Sequence, residues 1–151
     1  MKQSLYDAVG GLPTLEKVHK IFYDKIYAHP WLKQFFEGHS QEAIEGRQTS
    51  FMGEKMGGPK YLGKPIKQVH ENMYISQELY ELRHEILTTS LQEAGVPEAL
   101  AQRWLKIDNA FMKQIIKPSV EAFYRDYHFT FKRRIIIPRP LAKAGDHGVN
   151  D

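Results

Sequence analysis

Histidine and carboxylate side chains are the strong metal ligands available in this chain of 151 residues, because it contains no cysteine. The lack of thiols excludes disulfides, zinc–thiolate centres, iron–sulfur clusters and cysteine nucleophiles. Among the histidines, His70 stands out because it follows a segment broken by Gly63 and Pro65. This pattern would allow the segment to lie against a flat apolar ligand, although a lone histidine is more often a hydrogen-bonded or surface side chain than a metal ligand.

A second feature is an apolar helix face interrupted by one amide. Ile44, Gln48, Phe51 and Met52 share this face at helical spacing. A buried amide without a partner costs about 1–3 kcal/mol, so Gln48 needs a hydrogen-bond partner, and a ligand bound to a metal would be one. An all-α domain can hold a planar cofactor between two such helices when one supplies an axial ligand to the metal.

The helices that must position these residues are visible in the apolar spacing. A first helix begins near Thr14 and ends before Pro30, because the residue preceding a proline is disfavoured in a helix. Its buried stripe consists of Leu15, Val18, Phe22 and Ile26. Ser40 can cap a second helix that runs to about Met56, where a Gly-Gly-Pro sequence ends it.

The rest of the first 117 residues also has the helical period. A short helical turn over Ile66–Asn72 carries His70, and Ser76 can cap a helix that continues to Leu91. The last helix has the clearest period, formed by Leu100, Trp104, Ile107, Phe111 and Ile115. No strand pattern alternates with these helices, so the sequence predicts an all-α fold.

The chain divides into a nearly neutral body and a basic, aromatic end. We predict one domain over residues 1–118 and a C-terminal extension over 119–151, which carries six Lys and Arg against four acids and is partly disordered beyond Pro138. Its aromatic residues are compatible with packing on the domain or on a second subunit. The formal charge of +3 is too small to indicate nucleic acid binding.

Composition also bounds where the protein works. No apolar run approaches the roughly 20 residues of a membrane helix, so no integral membrane segment is expected. The N-terminal MKQSLYDAVGG lacks the apolar stretch and cleavage pattern of a signal peptide, which favours a cytoplasmic protein.

A family resemblance makes these indications specific. The segments LYDAVGG, FYDKIYAHPWLKQFF, RQTSF, GGPKYLGKPIKQVH and AGVPE follow in the order and spacing of group I truncated haemoglobins. Residues 5 to about 117 resemble this family, which implies a globin-like two-over-two helical sandwich that binds haem b. Two features depart from the pattern: the pair of glycines that often follows the proximal histidine is missing, and the extension has no counterpart.

The resemblance also implies roles for individual residues. His70 matches the proximal ligand to the haem iron, Tyr23 the distal tyrosine and Gln48 its amide partner, so Tyr23 and Gln48 are the candidate catalytic residues. The implied cofactor contacts are Phe36, Ile44, Arg47, Phe51, Met52, Tyr61, Ile66, Val69 and Ile75. The other histidines are interpreted as non-ligands, with His39 or His19 as less favoured candidates for a sixth iron ligand.

The implied function is binding of O2, and of NO or CO, at a five- or six-coordinate haem iron. A strong distal hydrogen bond would slow oxygen release, which favours nitric oxide dioxygenation or a related redox detoxification with a separate reductase over simple delivery. An oxygen carrier or store, or a gas sensor whose extension contacts a partner, is the alternative. A cofactor-free helical interaction module is a third interpretation. We expect a monomer or a weak homo-oligomer.

Overall fold

The computed structural model describes residues 3–63, 70, 73–126 and 135–140. Six α-helices lie in these ranges: α1 (Leu5–Val9), α2 (Leu12–Ala28), α3 (Gln41–Lys55), α4 (Gln77–Glu93), α5 (Glu98–Met112) and α6 (Val120–Asp126). A 3₁₀ helix, Leu32–Phe36, follows α2. The described ranges contain no strand, which confirms the predicted all-α class.

Serine side chains start several of these helices. Ser40 and Ser76, both predicted as N-caps, accept hydrogen bonds from the backbone N–H groups of Ala43 and Leu79. Ser4 caps α1 in the same way. Helix α1 was not predicted, because five residues are too few for the helical period to show.

The core forms around α2. Leu15, Val18, Phe22 and Ile26 are all buried there, as their spacing predicts. Their helix packs on α3, on α4 and on the 3₁₀ helix, while α5 packs on α4 and α1. Burial of each large apolar side chain contributes about 1.5–3 kcal/mol, so this stripe stabilises the packing of α2 on its neighbouring helices.

The turn after α3 depends on two glycines. Gly57 has a φ of 97°, a backbone conformation that a side chain disfavours. At Gly58 an added Cβ would lie 2.9 Å from the carbonyl oxygen of Gly53, closer than real contacts allow. The turn brings Met56 to α1, where its carbonyl accepts a 2.8 Å hydrogen bond from the Tyr6 N–H.

Beyond α5 the chain returns to the segment that follows His70. Helix α5 ends at Met112, earlier than its apolar stripe predicts, although Ile115 is still buried. Isolated parallel bridges then pair Ile75 with Ile116 and Met73 with Ile135. Residues 73–75 therefore have backbone partners from two later parts of the chain.

Some predictions fall outside the described residues. These are the cofactor contacts Ile66 and Val69, most of the turn over residues 66–72 and the end beyond residue 140. Helix α6 was not predicted, and in it Ala122 and Phe123 are buried. Across the ranges given above, no helix is long and apolar enough to span a bilayer.

Candidate functional site

A cavity of about 630 Å³ lies between the helices. Its volume is within the range typical of sites for small molecules and cofactors. Its walls come from α2, the 3₁₀ helix, α3, α4, α5 and from His70, Met73 and Ile75, and most of the lining is apolar.

The cavity brings together every predicted site residue that the structure describes. His70, Tyr23 and Gln48 line it, and so do seven of the predicted cofactor contacts: Phe36, Ile44, Arg47, Phe51, Met52, Tyr61 and Ile75. These residues come from α2, the 3₁₀ helix, α3, the loop with Tyr61 and the chain around His70 and Ile75, so the fold must assemble them. Their individual roles stay predictions.

Tyr23 is a buried hydroxyl group in the cavity wall. Its side chain is 5% exposed, and it makes no hydrogen bond with any residue in the described ranges. The rings of Phe22 and Phe36 hold it edge-on, with centroid distances of 4.8 and 5.8 Å. Burial raises the pKa of the Tyr23 phenol well above its ordinary value, a shift that the nearby Arg83 charge only partly opposes. The hydroxyl therefore remains a protonated donor that can serve a ligand in the cavity.

Helix α3 supplies both an apolar and a polar part of the wall. Ile44 and Gln48 are half-buried, whereas Arg47 is exposed at the cavity edge, where it could meet a charged group on a ligand. The ring of Tyr61 packs edge-on against Phe51 with centroids 5.3 Å apart.

The loop that carries Tyr61 is fixed by its backbone. The Tyr61 N–H donates a 2.8 Å hydrogen bond to the Glu54 carboxylate near the end of α3. This bond lowers the pKa of Glu54, after the larger effect of Lys55.

Lys117 holds the backbone around His70. Its Nζ donates hydrogen bonds of 2.8 Å to the His70 carbonyl and 2.6 Å to the Met73 carbonyl. Its own N–H donates to the Ile75 carbonyl at 2.8 Å. The segment that departs from the family pattern after the histidine is thus anchored by a lysine that the sequence analysis did not identify. Because one ammonium group binds both carbonyls, it fixes the backbone positions of His70 and Met73 beside the cavity.

A buried ion pair in the wall was also missed. The Arg83 Nη1 of α4 donates to the Asp108 Oδ2 of α5 at 2.7 Å, and Asp108 is 3% exposed. Burial acts to lower the pKa of Arg83, but the Asp108 charge and hydrogen bond outweigh it and raise that pKa. The guanidinium also lies 5.1 Å from the Phe22 ring centroid.

A sequence signal for this pair exists. Arg83 lies four residues from both Leu79 and Leu87, in the middle of a buried stripe, and Asp108 lies midway between two buried residues of α5, Trp104 and Met112. Opposite charges inside two buried stripes predict a pair, because an unpaired buried charge is strongly disfavoured. The Arg83–Asp108 pair lines the cavity and adds a charged pair to a largely apolar wall.

Two further histidines differ in position. His19 is 1% exposed, shares a 2.8 Å hydrogen bond with the Thr49 hydroxyl and is not part of the cavity lining. Burial, with a smaller effect of the Arg83 charge, lowers the pKa of His19 to about 3, so the ring is neutral. His39 lines the cavity with an exposed side chain.

Comparisons with known proteins agree on one family. A sequence profile described as bacterial-like globin matches residues 4–117. The group 1 truncated hemoglobin GlbN of Mycolicibacterium paratuberculosis is 38% identical over 95 residues, which cover 62% of this chain and 70% of that protein.

Solved structures match over a similar span. The truncated hemoglobin of Tetrahymena pyriformis, in its Fe(III) form, has a TM-score of 0.70 at 27% identity and covers 76% of this chain and 98% of its own. The hemoglobin of Chloroflexus aurantiacus has a TM-score of 0.69 at 25% identity and covers 77% of this chain and 100% of its own. These structures confirm the predicted two-over-two helical fold. The boundary at residue 118 stays a prediction.

Proposed function

The chain belongs to the bacterial-like globin family, and haem is the cofactor of that family; from this premise we propose that the cavity binds haem b through His70. The observation that carries the proposal is the content of the cavity. The His70 imidazole, the Tyr23 phenol and a wall that is largely apolar enclose a space of about 630 Å³.

This set of residues fits an iron porphyrin. The apolar wall suits the macrocycle, and the exposed Arg47 and the Tyr61 loop suit its charged propionates. The Tyr23 hydroxyl makes no hydrogen bond with a described residue, so it can donate one to a ligand in the cavity. When bound, haem supplies an iron centre that takes up diatomic gases and changes oxidation state.

The chain's own residues then divide the work. His70 supplies a neutral imidazole nitrogen to the metal, and Lys117 fixes the backbone that carries it. Tyr23 donates a hydrogen bond to a diatomic ligand, with Gln48 beside it as orienting group or second donor. The apolar wall formed by residues such as Phe51 and Met52 limits water around the gas.

The reaction that this arrangement favours is nitric oxide dioxygenation. A charge-assisted distal hydrogen bond is worth about 1.5–3 kcal/mol, which would slow oxygen release by about one to two decades. Oxygen that stays bound can react with NO. The balance is O2 plus NO plus one electron giving nitrate, so a separate reductase must supply the electron.

A gas sensor is the second candidate function. The observation in its favour is that Ile135, in the C-terminal extension, lines the same cavity. A ligand that binds in the cavity could therefore change the position of the extension. Fast oxygen exchange without nitrate formation would instead indicate a carrier or store.

Hemin titration of the purified chain tests the cofactor assignment. We expect the wild-type chain to bind hemin at a 1:1 ratio with a sharp Soret band. His70→Gly should lose tight binding and recover it with added imidazole, which replaces the missing ligand. His84→Gly is the matched control, because His84 is half-buried on α4 but does not line the cavity. Tight hemin binding by His70→Gly with an unchanged spectrum would exclude His70 as the ligand.

Turnover separates the redox function from the carrier function. The loaded, reduced protein is mixed with O2 and NO in the presence of a ferredoxin–NADP reductase and its electron donor, and nitrate is measured. Continuous nitrate formation supports dioxygenation. A protein that releases oxygen rapidly and forms no nitrate contradicts it, while the haem assignment stands.

A further inference from the structure

We propose that residues 135–140, which lie beyond the family match, form a strap that closes the haem cavity and retains the cofactor, with Ile135 as its contact residue. We call this segment the strap. The inference rests on the proposed haem site, but it assigns part of that site to a segment for which the family match offers no counterpart.

The first end of the strap enters the cavity wall. Ile135 lines the cavity together with Met73 and Ile75, on the side formed by the segment after His70. Its carbonyl accepts a 2.7 Å hydrogen bond from the Tyr74 N–H, and Met73 and Ile135 form a parallel bridge. Ile135 is therefore held by backbone bonds to the same segment that positions the proposed iron ligand.

The middle of the strap is bound to Trp31, which directly precedes the 3₁₀ helix. The Trp31 Nε1–H donates a 2.8 Å hydrogen bond to the Ile137 carbonyl. Trp31 is 6% exposed and Ile137 packs against the core, so this bond is shielded from water. It joins residues separated by 106 positions in sequence, so it ties the extension to the globin core.

The last part of the strap reaches the start of α4. Arg139 forms an ion pair with Glu78 in the first turn of that helix, and its guanidinium lies 5.4 Å from the Trp31 ring centroid. Both charged side chains are substantially exposed, so the ion pair by itself is weak. Together with the indole contact it sets the direction in which the strap leaves Ile137.

These contacts have a kinetic consequence. The strap spans from the segment after His70 to the start of the 3₁₀ helix and to α4, and each of these parts of the chain contributes to the cavity wall. Haem that leaves on this side must displace Ile135 and break its backbone bonds. The strap is expected to act on the rate of haem loss more than on the rate of haem entry, because it closes over the cofactor once it is seated.

The experiment measures hemin transfer from the ferric, loaded full-length chain to excess apomyoglobin. Ile135→Ala should release hemin about tenfold faster, since it removes the cavity contact. Ile136→Ala is the matched control, because Ile136 is an adjacent residue of the same type that does not line the cavity. It should differ from wild type by less than about twofold.

Two further variants test the strap without touching the cavity. Trp31→Phe removes the indole donor, and Arg139→Gln removes the ion pair. Each should accelerate hemin loss by a smaller factor than Ile135→Ala. Arg139→Lys, which keeps the positive charge, should release hemin at a rate between those of wild type and Arg139→Gln. Circular dichroism checks that helix content is unchanged in each variant. If Ile135→Ala does not fold, the Trp31 and Arg139 variants decide the question.

The outcomes separate the two proposals. Hemin loss from Ile135→Ala and Trp31→Phe at the wild-type rate would overturn the strap and leave the haem assignment intact. Equal acceleration by Ile135→Ala and Ile136→Ala would also overturn it, because the effect would then be general loosening of the extension. A wild-type chain that fails to bind hemin would contradict the proposed function itself.

Discussion

At the scale of single residues, the site depends on side chains whose chemistry is set by burial. The Tyr23 phenol is kept protonated because burial disfavours the anion, and it makes no hydrogen bond with a described residue, while the rings of Phe22 and Phe36 pack against it. A donor in this condition is available to whatever molecule occupies the cavity. The amide of Gln48 is less buried and completes the polar part of the wall.

Tyr23→Phe tests this donor. We expect oxygen to dissociate from the reduced, loaded protein about tenfold faster, because the substitution removes one hydrogen bond and little volume. Flash photolysis with rapid mixing measures the rate. Tyr27→Phe is the matched control, since the Tyr27 hydroxyl donates to the His39 carbonyl and the residue does not line the cavity. An unchanged dissociation rate for Tyr23→Phe would rule out its role as donor.

At the scale of helices, α4 and α5 are joined by a buried ion pair as well as by apolar packing. Arg83 and Asp108 each replace what would otherwise be an apolar residue in the stripe of their helix. Such a pair specifies how the two helices align, because either charge alone would be stranded in the wall. It also keeps a polar point inside a cavity that is otherwise largely apolar.

Single and double substitutions measure this pairing. Arg83→Met and Asp108→Leu should each lower the free energy of unfolding, Asp108→Leu by about 3 kcal/mol, since it leaves the Arg83 charge without its partner. The double variant Arg83→Met, Asp108→Leu should be closer to wild type than either single variant, because no unpaired charge remains. Urea unfolding of the haem-free chain gives the three values. Additive losses in the double variant would show that the pair is not coupled.

At the scale of the whole molecule, the core includes a histidine that folding keeps neutral. His19 is fully surrounded by protein, with Thr49 on one ring nitrogen and the Trp104 ring 5.7 Å away, centroid to centroid. Burial lowers its pKa to about 3 from the ordinary value of 6.5. Between these values the unfolded chain binds a proton that the folded chain refuses, so stability is complete above about pH 6.5 and decreases as the pH falls.

Acid unfolding of the histidine variant checks this linkage. Between pH 7 and pH 5 the wild-type chain should lose about 2 kcal/mol more of its free energy of unfolding than His19→Gln, which keeps a hydrogen-bonding group but cannot titrate. Urea unfolding at several pH values gives the two slopes. Parallel slopes would mean that His19 is already accessible to protons in the folded state.

The amino-acid sequence by itself determined the local features of this protein. Ser40 and Ser76 cap helices through their own side chains, and the buried stripe of α2 follows the helical period of the sequence. The residues of the haem site were predicted as a set because they lie in segments that resemble a known family, and the cavity contains all of them that the structure describes. Local hydrogen bonds and helical periodicity act over a few residues, so they are visible without a fold.

Tertiary structure alone decided which distant residues complete the site. The sequence places Lys117, Asp108 and Ile135 far from His70, and no local rule connects them to it. Only packing brings the Lys117 ammonium to the His70 carbonyl and the Ile135 side chain into the cavity wall. Contacts of this kind depend on how whole helices meet, which is determined by the combined burial of many side chains rather than by the type of any one residue.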